Sequence, residues 1–197
     1  MVWKGKPRWR NLGAEGLTLL ELVTILSIIS LLAMVAMPSI LGWLSDYRLK
    51  NAALDLFTNF QVARMRAIQS GSEYGIVFSA ASGEYRLVCG GKNKKFEGAA
   101  PGSDDVVEKT VSLRKYGGGV CYGYGRADAK ATVSGGRFAQ GDEISYRDDM
   151  AEFNAQGMSN RMGYVYLEND RNAAFAVSTP TLAGVVNIKR WDHGQWR

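Results

Sequence analysis

Histidine, cysteine and proline are scarce in this chain: one, two and four among 197 residues. The single histidine, His193, lies in a polar tail beside Asp192. A nucleophile–base–acid set built on it would need a serine or cysteine brought close, and the chain has no Gly-x-Ser-x-Gly elbow. Two cysteines far apart in sequence and one histidine do not make a zinc site. The acidic pairs Asp104-Asp105 and Asp148-Asp149 match no calcium-loop template and read as solvated turn carboxylates. No glycine-rich phosphate loop follows a strand and opens onto a helix. The reading is therefore not an enzyme, with no metal and no cofactor.

Charge is missing over a long stretch. Between Leu17 and Leu44 the only ionisable residue is Glu21. A helix over those residues would be ~42 Å long at ~1.5 Å per residue, against ~30 Å of bilayer hydrocarbon. This is the length of a single membrane span. A secretory signal peptide has an apolar core of about half that length and a small-x-small cleavage site; here Ala33-Met34-Val35-Ala36 is a poor one. Glu21 sets the run apart from a plain signal anchor, because a carboxylate in a bilayer core costs roughly 2.5–3.5 kcal/mol and is usually paired and functional. No Lys, Arg or His lies within helical reach on its C-terminal side. A cut after Gly16 would create an α-amine at Leu17, about one helical turn from Glu21, and in an assembly the amine of one copy could meet the carboxylate of the next.

Gly16-Leu17-Thr18-Leu19-Leu20-Glu21, after a short basic leader and before an apolar run, resembles the class III signal of type IV prepilins and pseudopilins. The resemblance implies a prepilin peptidase that cuts between Gly16 and Leu17 and methylates the new Leu17 amine. It also implies that Glu21, the fifth mature residue, serves filament assembly. Pro38 matches a proline that recurs in the family's apolar helix, around which that helix loses order in filaments. Implied partners are other pilins or pseudopilins, the inner-membrane assembly platform and membrane lipid.

The charge distribution supports the topology. Lys4, Lys6, Arg8 and Arg10 against Glu15 give the first sixteen residues a net +3. Removing these from 24 basic and 19 acidic residues leaves 20 and 18, a net +2. Positive residues stay on the cytoplasmic side, so the C-terminal part is expected outside the bacterial inner membrane, in the periplasm. That compartment is oxidising and allows one disulfide between Cys89 and Cys121. Closing that loop would stabilise by ~3–4 kcal/mol in the chain-entropy model. The alternative is two unrelated buried thiols.

Four segments follow: a leader over 1–16, an apolar helix over 17–44, an amphipathic helix over 45–70 and a β-rich domain over 71–197. In the second helix Leu49, Ala53, Leu56, Phe60, Ala63 and Ala67 recur at steps of four and three, one apolar stripe. Ser70-Gly71 should stop it, and the stripe should pack on a sheet. Tyr74–Phe78 and Glu84–Cys89 around Ala80-Ala81-Ser82-Gly83 predict a hairpin. Gly90–Ser103 reads as a loop. Val106–Tyr116 alternates in part, Val120–Tyr124 is a short strand, and Lys130–Phe138 and Glu143–Tyr146 are weaker strand candidates. Phe153–Gly157 is a turn. Gly163–Glu168 and Ala173–Ser178 predict a second hairpin, and Gly184–Trp191 a last strand. The fold class is α+β: a long N-terminal helix, apolar then amphipathic, packed on an antiparallel β-sheet domain.

This order resembles the GspH/FimT-like minor pseudopilins. The resemblance implies a minor subunit of a type II secretion pseudopilus or type IV pilus, near its tip. The other reading is a DNA-binding minor pilin in DNA uptake. Lys189, Arg190 and Arg197 lie beside Trp191 and Trp196, a pairing of cations and aromatics that binds phosphates and stacks bases. Against it, a solvated strand end would pack Arg on Trp, and the chain lacks a closely spaced Gly-Arg-x-Arg.

Overall fold

The computed structural model describes residues 17–197, without the side chains of Ala36, Pro38 and Ser39. The leader, including Gly16, lies outside the described residues. The chain forms two compact units, one ending at Ile40 and one spanning Leu41–Arg197. Helix α1 runs from Leu19 to Ser70 through both. Pro38 lies in it, between the helical segments Leu19–Val35 and Ile40–Ser70. Among the described residues no single helix is long and apolar enough to cross a membrane; by length and composition these two segments pass that test only together.

In the first unit every large apolar side chain among the described residues is exposed. They range from 44% exposed at Ile25 to 80% at Leu19. Three hydroxyls of this stretch are satisfied inside the helix. Thr24, Ser27 and Ser30 each donate to the carbonyl four residues back, at 2.8 Å, so none of them needs water.

The second unit is α+β. The helix leads into strands β1 (Tyr74–Ser79), β2 (Glu84–Cys89), β3 (Val106–Ser112), β4 (Cys121–Tyr122), β5 (Met150–Phe153), β6 (Gly163–Glu168), β7 (Ala174–Thr179), β8 (Asn187–Asp192) and β9 (Gln195–Trp196). They make a four-stranded sheet, order β3-β2-β1-β5, and a five-stranded sheet, order β4-β6-β7-β8-β9. All pairings are antiparallel. Both expected hairpins form, in registers Tyr74↔Cys89 to Ser79↔Glu84 and Gly163↔Thr179 to Glu168↔Ala174.

The stripe read from the sequence is buried throughout: Leu49, Ala53, Leu56, Phe60, Ala63 and Ala67 are all 0% exposed. They share one core with Ile76, Phe78 and Leu87 of the first sheet and Val165, Leu167 and Val177 of the second. Small alanines let the helix approach the sheets, and Phe60 fills the space left. Its ring lies 6.0–6.2 Å from those of Phe78, Tyr146 and Phe153. The helix stops at Ser70 because Gly71 takes a left-handed φ of 63°, a conformation glycine adopts without steric cost.

Several expectations are corrected. Lys130–Phe138 forms no strand. Consecutive glycines Gly135 and Gly136, both at positive φ, turn the chain there, and Lys130 bonds back to Gly136 at 2.8 Å. Of Glu143–Tyr146 only Ile144 pairs, in one bridge to Val165. The Val106–Tyr116 stretch becomes a strand and then a 3₁₀ turn at Leu113–Tyr116. The last strand starts at Asn187 rather than Gly184, because Gly184 has φ 69°. Strands β5 and β9 had no alternation long enough to reveal them.

Candidate functional site

The first candidate is the N-terminal motif. Leu17 is 70% exposed. Thr18 precedes the first helical residue, and its Oγ1 accepts the Glu21 N–H at 3.2 Å. In return Glu21 Oε2 accepts from the Thr18 N–H at 3.2 Å and the Thr18 hydroxyl at 3.1 Å. This is a capping box: two residues at spacing three satisfy each other's free helix-start donors. The spacing Thr-x-x-Glu was the signal, and reading Glu21 only as a charge in search of a cation passed over it. The carboxylate is hydrogen-bonded locally, while its negative charge has no cation beside it among the described residues.

The second candidate is the set of C-terminal cations, and the structure does not bring all three together. Lys189 pairs with Ala176 and Arg190 with Phe175. Successive strand residues face opposite sides, so Lys189 and Arg190 are on opposite faces of the sheet. Arg190 instead faces Arg197 across the β8–β9 hairpin, with backbone bonds of 2.7 and 2.9 Å between them.

Arg190 has other company that sequence reasoning missed. Arg126 follows β4, and Arg171 sits in the β6–β7 turn. Both line a cavity of about 290 Å³ with Arg190, Asp46 and the Trp191–His193 turn. A neighbouring cavity of about 400 Å³ shares Asp46 and Arg190 and adds Trp43, Tyr47 and Lys50 from the helix. The turn is tied to the helix. Asn169 Nδ2 donates to Asp46 Oδ1 at 2.9 Å, and the Ser45 hydroxyl donates to Asp170 and to the Gly118 carbonyl. Arg126, Arg171 and Arg190 come from three separate segments, so no local pattern announces their meeting.

The disulfide between Cys89 and Cys121 is not formed; both thiols are free. Cys89 lies on β2 of the four-stranded sheet, opposite Tyr74, while Cys121 lies on β4 of the other sheet, opposite Glu168. Burial and the adjacent Glu168 carboxylate, 3.7 Å from the sulfur, push the Cys121 thiol upward from its ordinary pKa. This disfavours the thiolate. His193 Nε2 stands 3.7 Å from Asp192 Oδ1, with the histidine side chain largely in solvent. Among the described residues no group of three or more His, Cys, Asp or Glu is placed to hold a metal ion.

No protein-family model, no curated protein and no solved structure matches the chain.

Proposed function

We propose that the chain is a minor pilin or pseudopilin: an inner-membrane precursor that a prepilin peptidase cuts between Gly16 and Leu17 and methylates at Leu17. The mature subunit then enters a secretion pseudopilus or type IV pilus, near its tip. One observation carries this reading. The helix from Leu19 to Ile40 leaves its large apolar side chains outward, bonds the hydroxyls of Thr24, Ser27 and Ser30 internally, and begins at a motif resembling the class III signal. Such a surface is suited to lipid before assembly and to neighbouring helices after it. The β-rich domain would lie in the periplasm, and the assembly platform would extract the helix from the bilayer. Glu21 then acts as an electrostatic register, its uncompensated charge meeting the Leu17 amine of the adjacent subunit.

The test is mass analysis of the N-terminus of protein extracted from its native membrane. The expected species starts at Leu17 with one added methyl group. A chain that keeps its first sixteen residues while functional overturns the proposal.

A further inference from the structure

We propose that the arginine-lined cavity holds the phosphate of an anionic phospholipid in the leaflet where the apolar run ends. This rests on reading residues 17–44 as lying in a bilayer. The ligand class follows from the charges. Arg126, Arg171 and Arg190 converge on one cavity, and none of them is in an ion pair among the described residues. Guanidinium forks match the oxygens of a phosphate. Two carboxylates oppose them. These are Asp46 and Asp192, so three arginines against two carboxylates leave the lining at +1, and Lys50 at the adjoining cavity adds to it.

Size and position choose the source of the phosphate. A cavity of about 290 Å³ has room for a single phosphate headgroup. The adjoining cavity, which shares Asp46 and Arg190 with it, is lined by Trp43, Tyr47 and Lys50 at helical spacing. The Trp43 and Tyr47 rings are stacked 5.4 Å apart, and Trp43 is 64% exposed. Exposed aromatics at the end of an apolar run belong at the headgroup level. Lys50 is about 10 Å further along the helix at about 1.5 Å per residue, just beyond a headgroup layer of roughly 5–7 Å, and its long side chain can reach back to that layer. Arg171 reaches this face because residue 42 is glycine: a Cβ there would lie 2.0 Å from Arg171 Nη1. The lipid contact would hold the globular domain at the membrane surface before the subunit is extracted.

The full chain is reconstituted in nanodiscs of phosphatidylcholine, alone or mixed with phosphatidylglycerol. Lipids that remain bound after release are counted by native mass spectrometry. The expected result is retention of phosphatidylglycerol over phosphatidylcholine. Each of Arg126→Gln, Arg171→Gln and Arg190→Gln should lower that retention about fivefold, the effect of removing one cation at an anionic surface. Arg86→Gln, on β2, should change nothing. Gly42→Ala should keep or raise the melting temperature, since alanine favours helix, yet lower retention by displacing Arg171; it therefore tests the site without weakening the fold. Equal retention of both lipids, or an equal loss in Arg86→Gln, overturns the assignment. Arginine-dependent binding of a single-stranded oligonucleotide tighter than that of short-chain phosphatidylglycerol would give the cavity to nucleic acid instead. Release of the chain from membranes by a carbonate wash would overturn the bilayer reading itself, whereas a membrane-retained chain with no anionic preference overturns only the lipid site.

Discussion

Thr18 and Glu21 cap each other: the threonine Oγ1 accepts the glutamate N–H at 3.2 Å, and the glutamate Oε2 accepts the threonine N–H at 3.2 Å. Both residues lie beyond the Gly16–Leu17 bond, so cleavage there removes neither partner. Glu21 thus has two separable roles to assign, a hydrogen-bonding one within its own helix and a charged one toward a neighbour.

Substitutions separate them. Glu21→Gln keeps an acceptor for the Thr18 N–H, as glutamine serves in capping boxes, but removes the charge. Thr18→Ala removes the cap, at about 1 kcal/mol of helix-start stability, and keeps the charge. If the register role holds, Glu21→Gln inserts in the membrane normally and fails to enter filaments, while Thr18→Ala is incorporated. Filament pull-down and immunoblotting read the outcome; the reverse pattern would make Glu21 a helix cap alone.

Gly16→Ala should block maturation. On gels the protein would keep the larger precursor mass while remaining in the membrane fraction. Normal processing of this variant would remove the peptidase from the account.

Phe60 is fully buried among three other rings, where both sheets meet the helix. Phe60→Ala should cost about 3–5 kcal/mol through lost burial and an unfilled cavity. Chemical unfolding of the full chain in detergent measures this. Leu54→Ala, on the exposed side of the same helix, should cost far less.

Asp55 links the helix to the 3₁₀ turn after β3. Burial raises its pKa, but bonds from the Tyr116 hydroxyl and Lys115 outweigh that and hold its carboxyl below the ordinary carboxylate range. A depressed folded-state value means the stabilisation is complete above the unfolded-state pKa of about 4 and is lost as pH falls through the lower folded value. Asp55→Asn should therefore destabilise by about 1 kcal/mol at neutral pH. Its melting temperature should converge with that of the parent chain in acid. A constant gap across pH would show that Asp55 acts by shape.

Cys89 and Cys121 should both be alkylated in denaturant without reductant, giving two adducts by mass. In the folded protein Cys121 should react slowly for an exposed thiol, and Glu168→Gln should speed it by removing a negative neighbour. Absence of adducts until reductant is added would restore the disulfide.

Some of this was legible in residue order because the physics is local. The run from Leu17 to Leu44 announces itself by lacking charge, and the helix from Leu49 to Ala67 by a stripe that all proved buried. Both hairpins were marked by alternation around polar or glycine-containing turns. Strands β5 and β9 and the bend at Gly135-Gly136 escaped, since two to four residues carry too little pattern and two adjacent glycines override a weak one.

The sequence by itself determined the order of the longer elements, a long helix followed by antiparallel strands. Contiguous apolar, amphipathic and alternating segments each dictate their own secondary structure, and a run of greasy residues needs no partner to be recognised. Only the tertiary structure decided which distant side chains meet. It put Lys189 and Arg190 on opposite faces because a strand alternates, placed Cys89 and Cys121 on different sheets, and gathered Arg126, Arg171 and Arg190 from three separate segments around one cavity. Chain order carries no record of such meetings; strand pairing and the docking of the β6–β7 turn against the helix create them.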